Sequence, residues 1–247
     1  MIKTLLTTLL ISTSVFAQDI YATFTVDALK ESKLTLSTSG IVEQIHVDVG
    51  DKVSKGQLLL ELDNDDLKTS ISLEKKNIEL AEINLKYAKK AYDRFTKIKD
   101  VIDEEKYDNA TSNYERSKIA LSQAKASLAN KQAKLNKTLL RAPFSGVISE
   151  KNIELGSGVS SAKLDTLFTL ITPKDLLLKI SIDEKYLSKI KLGQTFTYSV
   201  DSSQAKRSAK VSKIYPAINP KKRSVTLEVP TSELSVGMFG YGYLKVD

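Results

Sequence analysis

The feature that most constrains this chain is a long stretch, Gln57 to Ala142, that contains neither glycine nor proline. The whole chain has ten glycines and five prolines in 247 residues, so about five of them would fall in this stretch at the average density. Glycine and proline are the residues that most often interrupt helices. Their absence predicts that most of the stretch is helical.

Apolar residues in this stretch recur every seven positions, in two series separated by a short break. Heptads of this kind predict a coiled coil, and small residues at alternate core positions predict a close approach of the helices. Only Glu74 interrupts the apolar row that accompanies the first series. We predict a seam between two helices, formed by Ile71, Ile78, Leu85, Tyr92, Tyr107, Tyr114, Leu121, Leu128 and Leu135.

The two series belong to separate arms. Tyr92 and Tyr107 are fifteen residues apart, not the fourteen that a continuous heptad requires, which argues against the alternative of one helix through both series. Asp103 is followed by two glutamates, as expected for a helix N-cap. We predict an antiparallel hairpin over 65–137 with its tip near 99–103 and arms of about 50 Å. Positive and negative side chains are interspersed along it, so no nucleic-acid partner is expected.

A repeat with a constant offset of 106 residues flanks the predicted hairpin. Gly40 and Gly50 in the first half correspond to Gly146 and Gly156 in the second, with apolar residues matched between them. Alternation of apolar residues predicts strands, and the glycines mark turns. We predict one small β-sandwich formed by 34–64 and 138–173. Within it, we expect Val47 and Val49 to pack against Ile153 and Leu155.

The residues after this repeat predict a third module over 174–247. Short strand-like segments and one short helix, Asp183 to Leu192, indicate a small β-barrel. A strand within 18–33 is expected to join it. The strand-like segments are 176–182, 194–200, 209–215, 224–229 and 239–246.

The composition excludes several classes of function. The chain has no cysteine and a single histidine, His46. We therefore expect no disulfide, no thiolate or histidine-based metal site and no histidine-dependent triad. No residues form a catalytic constellation, so we expect neither an enzyme nor a bound cofactor, and we interpret His46 as structural or exposed.

The N-terminus predicts export. Lys3 is followed by an uncharged, largely apolar segment, and Ala17 ends a sequence typical of a cleavage site. This is the pattern of a secretory signal peptide, with a buried N-terminal helix as the alternative. We predict cleavage after Ala17 and a periplasmic location.

Three segments resemble one known family. Ser39 to Leu59 resembles the first half-motif of biotinyl/lipoyl-like domains, and Leu140 to Ile148 resembles the second half as found in periplasmic adaptor subunits. These adaptors are also called membrane fusion proteins and include haemolysin-D-like proteins. Ile214 to Pro220, with Leu234 to Met238, is similar to that family's barrel domain. A lipoyl or biotin carrier is not expected, because the hairpin replaces the turn that would present the modified lysine.

The resemblance implies an elongated α+β multidomain fold: a lipoyl-like β-sandwich split by a long antiparallel helical hairpin and followed by a small β-barrel. The family's membrane-proximal domain is expected to be absent or vestigial. The implied function is an adaptor between an inner-membrane transporter and a TolC-type outer-membrane channel, peripheral to the inner membrane and self-associated in a ring. Efflux of small molecules is the main expectation. The alternatives are protein or peptide secretion, or a coiled-coil scaffold without a pump.

The resemblance also implies a contact at the hairpin tip. Arg94 and Ile98 match residues that contact the channel in drug-efflux members, and Asp103 stands where those members have serine. The alternative for Arg94 is a surface ion pair with Asp93 or Asp100. A separate basic turn, Lys221 to Arg223, has anionic lipid headgroups as a further possible partner.

Overall fold

The computed structural model describes residues 19–200 and 203–246. The predicted signal peptide and its cleavage site lie outside these residues. The chain forms two compact units, one from Ser32 to Leu170 and the other from the residues before and after that range. Within the described residues, no helix has an apolar stretch sufficient to cross a bilayer.

Short strands precede and follow two long helices along the chain. Fifteen strands, two long α-helices and one 3₁₀ helix make up the described chain. In chain order they are β1 (Ile20–Ala28), β2 (Glu31–Leu34), β3 (Gly40–Ile45), β4 (Lys52–Val53), β5 (Leu58–Leu62), α1 (Asp65–Thr96), α2 (Glu104–Lys137), β6 (Leu139–Arg141), β7 (Gly146–Lys151), β8 (Gly158–Val159), β9 (Phe168–Ile171), β10 (Leu176–Asp183), the 3₁₀ helix (Glu184–Lys189), β11 (Thr195–Val200), β12 (Ser203–Lys210), β13 (Lys213–Asn219), β14 (Ser224–Thr231) and β15 (Phe239–Leu244).

The sandwich consists of two four-stranded sheets, in the orders β2-β9-β7-β4 and β6-β5-β3-β8. Each sheet takes two strands from each half of the repeat, so neither half closes a sheet alone. The core between the sheets contains fully buried side chains from both halves, including Leu59, Leu60, Leu62, Ile148, Phe168 and Leu170.

One expectation about this core is wrong. Val47 and Ile153 are buried, but Val49 is 55% exposed and Leu155 is 67% exposed. Strand β3 ends at Ile45, and both exposed residues lie in tight turns directly before a glycine of positive φ, Gly50 or Gly156. Such turns carry the preceding side chain into solvent, so the apolar alternation continues in the sequence beyond the end of the strand.

Helices α1 and α2 form an antiparallel hairpin. Contacts join residues near its base, middle and end, including Asn64 with Thr138, Glu74 with Ser127 and Tyr92 with Tyr114. α1 ends at Thr96, three residues before the predicted tip, and residues 97–103 form the connection. In this connection the amide of Ile98 bonds the carbonyl oxygen of Phe95 at 3.1 Å.

The second unit is a seven-stranded antiparallel sheet in the order β12-β11-β15-β1-β10-β14-β13. The N-terminal strand β1 lies at its centre, between β15 and β10. The sheet curves around a core that includes Phe24, Ile180, Phe196, Leu227 and Leu244, and forms a half-barrel. The fold class expected from the sequence, a split sandwich with a helical hairpin and a barrel-type sheet, is confirmed.

One local prediction in the half-barrel is wrong, and another is confirmed only in part. The segment 209–215, predicted as one strand, contains the end of β12 and the start of β13. Val211 leaves the strand direction because its amide and carbonyl bond the 193–194 turn at 2.9 Å each, while the amide of Ser212 bonds Glu228. The predicted helix from Asp183 is a six-residue 3₁₀ helix, although Asp183 does cap it by accepting a bond from the Lys185 amide at 3.0 Å.

Candidate functional site

The hairpin seam is formed by the residues with heptad spacing. All nine predicted seam side chains are buried or half-buried, whereas apolar side chains elsewhere on the hairpin, such as Leu73 and Tyr87, are more than 60% exposed. Two of the deepest positions are the small residues Ala88 and Ala110, at 4% and 8% exposure. Small side chains at these positions permit the close approach of the two helices.

A polar contact crosses the seam at Glu74, the residue that interrupts the apolar row. Its carboxylate accepts a hydrogen bond from Ser127 of α2 at 2.8 Å and one from Asn77 at 3.2 Å. These bonds, with the positive charge of Lys131, lower the pKa of Glu74 below its usual value. A polar contact within an apolar seam favours one register of the two helices over shifted ones.

Three tyrosines brace the end of the hairpin nearest the tip. The ring of Tyr92 stacks on Tyr114 at a centroid distance of 5.1 Å and lies 6.1 Å from Tyr107. The interaction between the two hydroxyl groups raises the pKa of Tyr92 and lowers that of Tyr107. The cluster ties both helices together within four residues of the end of α1, which gives the tip a defined base.

Arg94 presents a cation with no carboxylate partner. Among the residues that the structure describes, it pairs with neither Asp93 nor Asp100, and Asp93 instead binds Lys89 at 2.8 Å. The guanidinium carbon of Arg94 lies 5.6 Å from the centroid of the Phe95 ring, a distance typical of a cation–π contact. The surface ion pair considered from the sequence is therefore not formed.

The connection beyond Arg94 is apolar and exposed. Ile98 is 45% exposed, and Val101 is 86% exposed. Asp103 differs in role: its carboxylate accepts a hydrogen bond from the Glu105 amide at 2.9 Å and caps α2. Val101 was not predicted as a site residue, although an apolar residue outside any heptad, in a short segment flanked by Asp100 and Asp103, is the signal that marks it. We define the hairpin tip as Arg94, Ile98 and Val101.

The described part of the chain holds no group of three or more histidine, cysteine, aspartate or glutamate side chains arranged for a metal ion. His46 is exposed on the sandwich, where its backbone amide bonds Leu59.

Residues 30–170, more than half of the chain, match the profile of the CzcB-like barrel-sandwich hybrid domain. The chain belongs to the CzcB-like barrel-sandwich hybrid family. This confirms the resemblance to membrane fusion proteins. The matched range contains the whole sandwich together with the hairpin that splits it.

Curated relatives include the cation efflux system protein CzcB of Alcaligenes sp. strain CT14, which is 27% identical over 212 residues. The alignment covers 81% of this chain and 40% of that protein. Multidrug resistance protein MdtA of Proteus mirabilis is 24% identical, over 90% of this chain and 64% of the relative. The chain thus spans less than half the length of the CzcB relative and under two thirds of MdtA.

Solved structures show the same fold. MacA from Actinobacillus actinomycetemcomitans superposes with a TM-score of 0.82 at 20% identity, covering 94% of this chain and 79% of that one. The membrane fusion protein Spr0693 from Streptococcus pneumoniae R6 superposes with a TM-score of 0.73 at 17% identity, covering 92% and 99%. The likeness in fold to these two structures therefore extends over the half-barrel as well as the matched domain.

Proposed function

We propose that this CzcB-like protein is a non-enzymatic periplasmic adaptor, which links an inner-membrane transporter to a TolC-type outer-membrane channel for efflux of small molecules. The observation that carries the proposal is the hairpin tip: an unpaired cation and two exposed apolar side chains on a braced coiled coil. The names of several relatives, which include cation efflux, multidrug resistance and macrolide export proteins, support an efflux role.

The tip is suited to contact the ends of helices in a partner. Helix C-termini carry partial negative charge on unpaired carbonyl groups, which attract a cation such as Arg94. Ile98 and Val101 supply the apolar surface that such a contact would bury. Because the Arg94 guanidinium has no carboxylate to leave, this contact requires no ion pair in the protein to be broken.

The adaptor role includes self-association in a ring and a location peripheral to the inner membrane. Export with cleavage after Ala17 is part of the proposal, and the N-terminal sequence of the mature protein tests it: it should begin at Gln18. Copurification with a transporter and a channel would support the adaptor role. Isolation without either would favour a pump-independent coiled-coil scaffold. Secretion of a protein or peptide, with no change in small-molecule efflux, would favour a secretion adaptor.

Charge reversal at the tip tests the channel contact. We expect Arg94→Glu to abolish efflux, because a carboxylate would face the negative ends of partner helices. Efflux is measured as drug or cation susceptibility in cells with no other copy of the adaptor. Lys86→Glu is the matched control, because it makes the same charge change on α1 two helical turns from Arg94, and it should retain efflux.

Export and folding of both variants are checked by periplasmic fractionation and by protease resistance of the hairpin. Unaltered susceptibility in folded, exported Arg94→Glu would contradict the assignment of the tip. Equal loss in both variants would show that the net charge of α1, not the position of Arg94, is what efflux requires.

A further inference from the structure

Strand β15 of the half-barrel reverses the usual distribution of side chains between its two faces. Its glycines face the core, and its aromatic rings face solvent. Its sequence over Phe239–Tyr243 alternates aromatic and glycine residues. A Cβ at Gly240 would collide with Phe24, and one at Gly242 would lie 2.5 Å from Phe196, so core packing holds the glycines inside. The three rings are 62%, 45% and 46% exposed, in chain order.

The neighbouring strand adds a fourth ring. Tyr21 of β1 stacks on Tyr241 at a centroid distance of 6.1 Å and meets Tyr243 edge-on at 5.7 Å. We define the aromatic strip as Tyr21, Phe239, Tyr241 and Tyr243. Contiguous exposed apolar surface of this kind marks an interaction site, because contact with a partner would remove it from water.

A groove of about 380 Å³, lined by both polar and apolar residues, begins where the strip ends. Phe239 forms part of its wall, and Lys179, Lys222 and Asn219 contribute the polar side chains with nitrogen. The remaining polar lining consists of hydroxyl groups, and none of them is hydrogen-bonded by its side chain to another described residue. These hydroxyl-bearing residues are Thr23, Thr25, Ser181, Ser224 and Thr226.

Two lysines and no carboxylate line the groove among the described residues. Lys179 lies opposite Glu228 of β14 in the sheet, so the unpaired positive charge of the groove is that of Lys222. Asp27, the nearest acidic neighbour on β1, is already paired with Lys179 at 2.7 Å. Lys222 forms no ion pair within the described chain. Its turn is fixed, because the Asn219 side-chain oxygen accepts bonds from the backbone amides of Lys221 and Lys222 at 3.1 Å each. An anion with several acceptor oxygens matches this arrangement.

We propose that this face of the half-barrel binds the surface of an anionic phospholipid bilayer. The groove takes the phosphate of a headgroup, and the aromatic strip lies in the interface beside it. A bilayer surface presents phosphate oxygens next to apolar chains. Lys222 and Phe239, which line the same groove, are complementary to these two features. Tyrosine rings favour this boundary because one end is apolar and the other polar. A free phosphate would leave the strip unused. The proposal concerns the half-barrel alone and does not require the channel contact.

The absence of tryptophan from the chain allows a direct test. Phe239→Trp places a single tryptophan at the junction of the strip and the groove. We expect its emission to shift to the blue, and quenching by acrylamide to fall, on addition of mixed phosphatidylglycerol–phosphatidylcholine vesicles but not phosphatidylcholine vesicles. Tyr87→Trp on α1, at a position 65% exposed, is the control and should show no shift. No shift for Phe239→Trp would overturn the proposal.

Vesicle sedimentation tests the groove. Lys222→Glu should weaken binding to the anionic vesicles at least about fivefold, since each basic residue near an anionic surface contributes about this factor. Lys191→Glu, which makes the same change in net charge outside the groove, should bind as the unaltered chain does. Equal binding by the two variants would contradict the groove assignment. All variants share one N-terminus, so any contribution of residues 1–17 cancels.

Two further outcomes would replace the proposal with another. Binding of inorganic phosphate by the unaltered chain in calorimetry, lost in Lys222→Glu and unaccompanied by vesicle binding, would identify a soluble-anion site. A tryptophan shift that occurs only in vesicles containing the transporter would identify a protein contact. The protein-free vesicles contain neither transporter nor channel, so failure here leaves the efflux test on Arg94 unaffected.

Discussion

At the scale of single residues, Glu228 is a carboxylate whose ionisation is coupled to folding. It is 7% exposed and accepts hydrogen bonds from the Tyr215 hydroxyl at 2.6 Å and from Lys213 at 3.1 Å. Burial alone would raise its pKa, but the bonds from Tyr215 and Lys213 outweigh burial and hold the pKa below its usual value of 4.5. The ionised form is therefore favoured by the folded state. Its contribution to stability is present above the unfolded pKa and is lost as the pH falls through the lower, folded value.

Replacing Glu228 by glutamine removes that ionisation. We expect Glu228→Gln to lower the free energy of unfolding of the half-barrel by about 1–3 kcal/mol at neutral pH, because Lys213 and Tyr215 lose a charged partner. The difference from the unaltered chain should shrink as the pH falls below about 4. Denaturant titrations at several pH values measure it. Glu233→Gln, at an exposed ion pair with Arg207, is the control and should change stability little. A deficit independent of pH would contradict the ionised role.

At the scale of elements, the hairpin depends on one thin seam. Leu85 is half-buried in it, whereas Ile83 on the same helix is 47% exposed. We expect Leu85→Asp to melt part of the hairpin and leave the sandwich folded. Truncating a buried leucine costs about 2–5 kcal/mol, and a two-helix seam lies at the low end of that range. Helical circular dichroism and limited proteolysis across 65–137 measure the effect.

Ile83→Asp supplies the comparison for the seam, since it introduces the same charge on the solvent-facing side of α1. It should leave helicity and protease resistance almost unchanged. Equal effects of the two substitutions, or none from Leu85→Asp, would show that the heptad row is not what holds the arms together.

At the scale of the whole molecule, the two halves of the sandwich close around the base of the hairpin. The Asn64 side-chain amide donates to the Thr138 hydroxyl at 3.1 Å, and the Leu62 amide bonds the Thr138 carbonyl at 3.0 Å. The ends of the hairpin are thus adjacent, and each sheet already combines strands from both halves. The sandwich core contains no side chain from the middle of either helix.

We therefore expect a variant in which a short Gly/Ser linker replaces 66–137 to be soluble and rich in β-structure. Retaining Asn64 and Thr138 keeps their buried hydrogen bond, and a shorter connection costs no more loop-closure entropy than the hairpin does. Circular dichroism and thermal unfolding measure folding, and susceptibility assays should show no efflux. An unfolded product would show that the sandwich needs the hairpin, and retained efflux would contradict its bridging role.

Most of the fold could be predicted from periodicity. Apolar residues repeated every seven positions indicate the buried side of a helix, and a repeat of two indicates the buried side of a strand. The helices α1 and α2 and the paired halves of the sandwich could therefore be predicted from the sequence. Prediction was weaker at the ends of elements. The alternation through Val49 continued past the end of β3, and one predicted strand over 209–215 proved to be parts of two. The turn before Gly50 carries Val49 into solvent although the apolar alternation continues. At Val211, bonds to the distant 193–194 turn interrupt the predicted strand, and no local pattern encodes those bonds.

The sequence likewise predicted only part of the candidate site. Arg94 and Ile98 were found through resemblance, but Val101 was missed because its exposure depends on where the connection turns. That Arg94 lacks an ion pair follows from the contact of Asp93 with Lys89, a choice between neighbours that the sequence leaves open.

By itself, the sequence determined the helical hairpin, the two-half sandwich and the family, because heptads, paired glycines and motif spacing are local or repeated patterns. Only the tertiary structure decided the strand order of the half-barrel, the outward aromatic strip and the groove beside it. These features arise where strands distant in the chain become neighbours: β1 pairs with β15, so Tyr21 meets Tyr241 and Tyr243. Which face such a pairing leaves to solvent is set by packing across the sheet, where Phe24 and Phe196 fill the space that the inward glycines leave.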